Sequence, residues 1–316
     1  MTILVTGGAG FIGSHLAAHL ALLGHDVRIL DNLATGRRSN VLAVGEDVEL
    51  VEGDIQSYER VHNAVTGCDV VFHQAALPSV PRSVQDPLTS NATNVTGTLN
   101  VLLASRDAGV RRVVFASSSS VYGAEPELPA SEDAAPLPIS PYATAKLACE
   151  GYCRAFNEVY GLETLALRYF NVFGPRQDPR SEYAAVIPRF INALLAGDAP
   201  TIFGDGEQSR DFTFVDDVVE ANVLAMDAPG VAGQVLNVAR GERTTVNGLL
   251  EELGAVIGVA VDPQYAPSRA GEVRHSLADV SRARSVLGWE PQVDVRDGLR
   301  RTVQYFDSER ALQIRT

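Results

Sequence analysis

Short runs of β-branched and aliphatic residues alternate with longer stretches whose apolar positions recur at helical spacing. The runs Ile3–Val5, Val27–Leu30, Val48–Val51, Val70–Phe72, Val113–Ala116 and Thr164–Leu167 predict strands. Between them, Phe11–Leu23 and Asn94–Ala108 predict amphipathic helices, closed by Gly24 and Gly109. Such alternation implies a parallel sheet covered by helices on both faces. Ligands of such sheets sit at the carboxyl ends of the strands.

After about Asn171 the rhythm changes. Proline and glycine cluster in Gly174-Pro175, Asp178-Pro179, Gly197-Asp198-Ala199-Pro200 and Gly204-Asp205-Gly206. Helices are predicted at Val186–Leu195, Val246–Ile257 and Val295–Phe306, among short strands. The expected organisation is a first domain over 1–171, rejoined by 212–240 through Phe212–Ala225 and Val235–Val238. A smaller C-terminal α/β domain would take 172–211 and 241–316. The chain has no internal repeat and no low-complexity tract.

The 316 residues, 46% hydrophobic and 21% charged, suit a globular protein with two domains. The formal net charge of −13 argues against a nucleic-acid surface or an anionic membrane face. An anionic ligand would need local positive groups. No signal-like segment opens the chain, and no apolar run approaches the ~20 residues that span a bilayer. A cytoplasmic location is therefore expected. Cys68, Cys149 and Cys153 support neither a disulfide framework nor a zinc site. The six histidines show no metal spacing; His15 and His19 lack the glutamate of a zinc motif, and His73 reads as structural.

Thr6-Gly7-Gly8-Ala9-Gly10-Phe11-Ile12-Gly13 follows the first strand and opens the first helix. Gly7, Gly10 and Gly13 let backbone approach a pyrophosphate at the helix N-terminus. This is the dinucleotide loop of a Rossmann-type doubly wound parallel sheet. Asp31 ends the second strand, 18 residues after Gly13, where a carboxylate accepts from adenosine ribose hydroxyls. It would repel a 2′-phosphate and so favours NAD, although Arg37 and Arg38 follow closely. Asp54, after Gly53, suits the adenine edge or a capping role.

Tyr142 and Lys146 lie one helical turn apart on one face. Free tyrosine has a pKa of about 10, and a neighbouring ammonium is expected to lower it. The pair would take the proton of an alcohol while the carbon-bound hydrogen leaves as hydride. Ser118, in Ser117-Ser118-Ser119-Ser120-Val121-Tyr122-Gly123 after the fifth strand, would hold the reacting hydroxyl.

Together the glycine loop, Asp31, the serine segment, Tyr142-x-x-x-Lys146 and Arg168-Tyr169-Phe170-Asn171 resemble the extended short-chain dehydrogenase/reductase family over essentially the whole chain. The resemblance implies a nucleotide-sugar enzyme with tightly bound NAD, with Ser118, Tyr142 and Lys146 catalytic. It further implies cofactor contacts from Phe11, Ile12, Asn32, Ile55, Ala75, Asn94 and Tyr169. Dehydratases and decarboxylases of the family carry an acid where this chain has Ser118-Ser119-Ser120, so neither reaction is expected.

The run from Arg168 to Pro175, followed by Glu182-Tyr183-Ala184-Ala185-Val186-Ile187-Pro188, is similar to the UDP-hexose 4-epimerases, most of all the branch accepting N-acetylated sugars. That similarity implies UDP-sugar contacts from Ser79, Ser119, Asn171, Ala185, Val186, Arg210, Arg269 and Ser276, with the two arginines near the diphosphate. It also implies a homodimer formed through the Asn94–Ala108 and Tyr142–Tyr160 helices. The hexose stays open between glucose/galactose, their N-acetylated forms and a uronate. Rival readings are a net oxidoreductase or 4-reductase that consumes NAD(P)H, and a dinucleotide-binding regulator without turnover.

Overall fold

The computed structural model describes residues 1–45, 48–178, 185–268 and 273–315. Its centre is one parallel sheet of seven strands: β1 (Thr2–Thr6), β2 (Asp26–Asp31), β3 (Glu49–Glu52), β4 (Val70–His73), β5 (Arg112–Ser118), β6 (Glu163–Tyr169) and β7 (Gln234–Val238). In space they run β3-β2-β1-β4-β5-β6-β7. Every strand expected from the apolar runs is present. The order reverses at β1, whose neighbours are β2 and β4, and this opens a crevice at the carboxyl ends of all three.

Successive side chains of a strand face opposite sides. On β1, Ile3 and Val5 join Ile29, Phe72 and Val114 on one face, beneath Leu16, Ala17 and Leu20 of helix Phe11–Leu22 and Val218 of helix Val215–Asp227. Leu4 faces the other way, with Leu30, Val71, Val113 and Phe115. That side is covered by helices Tyr58–Val65, Gly97–Asp107 and Pro141–Tyr160. Burying one such side chain contributes about 1.5–3 kcal/mol, so two covered faces specify the register of every strand.

A third core gathers Phe173, Phe190, Ile191, Phe212, Phe214, Leu249, Leu253 and Leu299. It unites helices Val186–Ala196, Val246–Ile257 and Val295–Arg315.

Two helices depart from the sequence expectation. The Asn94–Ala108 stretch begins as a π-helical turn, Ala92–Thr96, and becomes α-helical only over Gly97–Asp107. The Asn94 carbonyl there accepts from the Thr98 hydroxyl at 2.6 Å and the Cys149 thiol at 3.1 Å. The last helix runs past Phe306 to Arg315. Helix Pro141–Tyr160 starts where Ser140 Oγ accepts from the Ala143 amide at 3.1 Å, with proline in the first turn. Left-handed Gly161 (φ 71°) ends it.

Candidate active site

The chain leaves β1 through Gly7, whose φ of 71° is open to glycine at little cost. A Cβ there would lie 2.6 Å from the Ala75 amide nitrogen, and one on Gly13 would lie 2.2 Å from the Gly7 carbonyl oxygen. The glycines are thus required by the protein's own packing as well as by any phosphate. Helix Phe11–Leu22 starts with no side-chain cap and no acidic residue in its first turn, which leaves its amides to an anion. In front of it lies a cleft of about 640 Å³. Gly7, Gly10, Phe11, Ile12, Gly13, Asp31, Asn32, Asp54, Ile55, Ala75, Tyr142, Lys146 and Tyr169 all line it.

Asp31 is buried and accepts from the amides of Ala9 at 3.0 Å and Leu33 at 2.8 Å. Burial pushes its carboxyl above the usual range, and the two amides oppose that. Asp54 accepts from Asn32 Nδ2 at 2.9 Å and from the Gln56 amide at 2.8 Å, which sets the far wall. Arg37 is ion-paired to Asp178 and Arg38 to Glu52. Neither guanidinium is offered to a 2′-phosphate. Glycine cradle, helix terminus and Asp31 therefore suit a dinucleotide whose adenosine ribose carries a free 2′-hydroxyl.

Tyr142 is half-buried on the same cleft, its amide donating to Ser83 Oγ at 3.1 Å. The Ser118 hydroxyl bonds its phenol and favours the phenolate. Burial outweighs this and pushes the phenol up to about 12. The sequence led us to expect a phenol lowered by Lys146; in this environment it is raised. The lysine is buried and donates to the Ala116 carbonyl at 2.6 Å, stacked 4.8 Å from the Phe115 ring centre. Burial lowers its pKa to about 8. The pair shares a helical face as expected, but desolvation dominates both groups.

Asn94, expected at the cofactor, does not line the cleft. Its amide accepts from the Leu77 amide at 2.8 Å and donates to the Leu77 carbonyl at 3.1 Å, so it shapes the segment after β4. Tyr169 lines the cleft with its hydroxyl between Gln74 Nε2 (3.0 Å) and Asn222 Oδ1 (2.9 Å). His73 is structural: it bridges Thr6 Oγ1 at 2.7 Å and Thr98 Oγ1 at 2.9 Å, and burial drops its pKa to about 3. Since Thr98 donates to Asn94, His73 Nε2 carries the proton and Nδ1 accepts from Thr6.

A second cavity of about 260 Å³ is lined by Asn171, Ala185, Val186 and Arg210. Sequence reasoning missed Phe203, Arg189 and Gln208, which share its wall. The Arg189 guanidinium stacks 5.3 Å from the Phe203 ring centre, and Gln208 donates to the Phe203 carbonyl at 2.7 Å. Only the pattern Gly204-Asp205-Gly206, a turn after a short strand, hinted at a loop there. Arg210 donates to the carbonyls of Ser209 and Arg274 at 2.9 and 3.3 Å. Ser276 donates its amide to the Ser209 carbonyl at 3.1 Å, and Ser79 caps helix Val80–Gln85 with φ 101°. Ser79, Ser118, Ser119 and Ser276 line neither cavity; Ser118 reaches the cleft only through the Tyr142 phenol. Arg269 lies outside the described residues. Among those residues, no cluster of His, Cys, Asp or Glu could hold a metal ion.

This geometry has close parallels. The chain is 44% identical over 315 residues to a UDP-glucose 4-epimerase of Mycolicibacterium smegmatis, covering 97% of this chain and 98% of the relative. A solved UDP-N-acetylglucosamine 4-epimerase from Methanobrevibacter ruminantium, in complex with UDP-N-acetylmuramic acid, is 42% identical with a TM-score of 0.93, covering 98% of both chains. A Thermotoga maritima UDP-glucose 4-epimerase solved with UDP-glucose is 41% identical with a TM-score of 0.94, covering 98% of this chain and 99% of that one. The family model described as the NAD dependent epimerase/dehydratase family matches residues 3–239. With three quarters of its length and its whole cofactor cleft inside that match, the chain belongs to the NAD-dependent epimerase/dehydratase family.

Proposed function

We propose that the protein reversibly interconverts the C4 epimers of a UDP-hexose, UDP-glucose/UDP-galactose or their N-acetylated counterparts, through a transient 4-keto sugar. The observation that carries this reading is the meeting of Tyr142 and Lys146 on the wall of the dinucleotide cleft, with the Ser118 hydroxyl on the Tyr142 phenol and no carboxylate at 118–120. NAD, when bound, supplies reversible acceptance of a hydride. Ser118 holds the C4 hydroxyl, and Tyr142 takes its proton and gives it back to the other epimer. Lys146 presents its ammonium beside the phenol to the nicotinamide ribose.

Gly7, Gly10, Gly13, Asp31 and Asp54 hold the dinucleotide. The cavity of Asn171, Ala185, Val186 and Arg210 takes the nucleotide of the substrate, with Arg269 completing the charge at the diphosphate. On this division, residues 1–171 and 212–240 serve the cofactor, and 172–211 and 241–316 the nucleotide sugar. The hexose must stay loosely held, and short polar groups such as Ser118 beside the Tyr142 phenol and Asn171 on the second cavity suit that demand. UDP-glucuronate is the alternative substrate.

The reading extends to a cytoplasmic homodimer. Three free buried cysteines fit a reducing compartment, and no helix among the described residues is long and apolar enough to cross a membrane. An apolar groove between Val95, Ile139, Ala148 and Tyr152 lies beside Leu88, which is 82% exposed, and fits a second copy.

The test is to incubate the purified protein separately with UDP-glucose, UDP-N-acetylglucosamine and UDP-glucuronate and resolve the C4 epimers by NMR. One pair should equilibrate without net change in absorbance at about 340 nm, and Tyr142→Phe should abolish the exchange, as loss of a general base does. No epimer formed from any of the three would sink the proposal.

A further inference from the structure

The stripe that carries Tyr142 and Lys146 continues one turn further to Glu150. Glu150 and Arg168 are both buried, 6% and 3% exposed, and form a two-pronged pair. Arg168 Nε donates to Glu150 Oε1 at 2.9 Å and Nη2 to Oε2 at 2.7 Å. The Ser117 hydroxyl donates to the same Oε1 at 2.5 Å. In the sheet, Ser117 stands opposite Arg168, and Ser118 opposite Tyr169. The other face of the guanidinium covers the Tyr122 ring, 4.7 Å from its centre.

A buried ion pair stabilises a fold little, because removing two charges from water costs about what their attraction returns. Its position has a more specific consequence. Helix Pro141–Tyr160 is fastened to the end of β5 at two successive residues, Lys146 on Ala116 and Glu150 on Ser117. The residue that follows is Ser118. Lys146 is also the other buried cation on which the Glu150 carboxylate acts. The titratable groups around Lys146 are Tyr142, Cys149, Glu150 and Cys153 of its own helix, and His73 of β4.

We propose that Arg168 and Glu150 are positioning residues for the reaction: the pair holds Ser117 so that Ser118 stays on Tyr142, and it occupies the Glu150 carboxylate so that Lys146 stays on Ala116. The inference rests on the role proposed for Tyr142 and Lys146 above.

The test compares Arg168→Leu, Glu150→Gln and the apolar double variant Glu150→Leu/Arg168→Met in the full-length, NAD-loaded protein. The double variant leaves no charge stranded, so it should unfold cooperatively at or above the wild-type temperature. Its kcat should nevertheless be lower by roughly 100-fold, as expected for a reacting group displaced by about 1 Å, with KM for the UDP-sugar within about twofold. The single variants should move the alkaline limb of the rate profile in opposite directions. It rises in Arg168→Leu, where Glu150 turns to Lys146, and falls in Glu150→Gln, where Lys146 loses a nearby carboxylate.

A double variant with wild-type kcat overturns the proposal, and so does one that no longer folds, since the pair would then be structural. Limbs that shift together, or stay put, overturn it as well. Tyr142→Phe made alongside separates the two ideas. If it is inactive while the double variant is fully active, only the positioning role fails; if it turns over normally, the Tyr142 reading fails first.

Discussion

Lys146 donates a hydrogen bond to the Ala116 carbonyl at 2.6 Å while its nitrogen stands 5.8 Å from the centre of the Tyr142 ring. The ammonium is anchored to backbone and acts on the phenol through space. An anchored charge keeps its place while a substrate moves, at the cost of lying in a dry environment where it is expensive to maintain.

That cost is measurable. Burial lowers Lys146 from 10.5 to about 8, a difference equivalent to about 3 kcal/mol. The folded pKa lies below the unfolded one, so this group's contribution is intact above about pH 10.5 and is lost as pH falls through about 8. Lys146→Met should therefore be more stable than wild type at pH 7, by on the order of 1–3 kcal/mol after loss of the Ala116 bond. The advantage should vanish near pH 10. Urea unfolding at the two pH values checks this, and epimerisation by the same variant should be lost.

The glycine loop admits no Cβ at position 13. Gly13→Ala would push a methyl to 2.2 Å from the Gly7 carbonyl oxygen, which only a shift of the loop can relieve, at about 1–3 kcal/mol. A folded protein purified without NAD, seen as loss of bound nucleotide after denaturation, is the expected outcome. Retention of stoichiometric NAD would contradict the role given to this loop.

Asp31 holds the loop through Ala9 and Leu33 and repels a 2′-phosphate. A hydrogen bond to a charged group contributes about 1.5–3 kcal/mol. Asp31→Ser should therefore weaken NAD binding by roughly 10- to 100-fold, measured by calorimetry on stripped protein. Preference for NADP should appear only when Asp178→Asn also releases Arg37, because that guanidinium is otherwise engaged.

Asp211 is fully buried and accepts from the amides of Arg240 at 3.0 Å, Gly241 at 3.1 Å and Ala278 at 3.1 Å. Burial pushes its carboxyl up from 3.8 to about 7. Here the folded form binds the proton more tightly, so stability from this group falls as pH rises from about 4 to about 7. Asp211→Asn cannot ionise and should flatten that slope, by at most about 4 kcal/mol over the interval. Unchanged pH dependence in the variant would refute the assignment.

Much of the fold was legible because β-branched runs and glycine-closed helices are local signals. The glycine loop, Asp31 and the Tyr142–Lys146 spacing were equally local. What escaped depends on partners distant in sequence. Arg37 is neutralised by Asp178, which no spacing rule connects. Asn94 turns to Leu77 because a π-turn reorients it. The phenol of Tyr142 is raised because burial, a property of the whole packed cleft, outweighs a neighbour one turn away. Phe203 and Arg189 join Asn171 only once the third core has formed.

The last strand of the sheet is also the latest to be made. Gln234 of β7 pairs with Leu165 of β6, although the chain between them first leaves to build helix Val186–Ala196 and its surroundings. Until β7 emerges from the ribosome, β6 is an open edge of buried aliphatic residues, and an open edge recruits whatever strand is nearest. Pairing between segments so far apart is slow. A chain interrupted between Asn171 and Gln234 would thus carry Ser118, Tyr142 and Lys146 together with a built-in tendency to aggregate. The C-terminal half protects the N-terminal half before it contributes anything to chemistry.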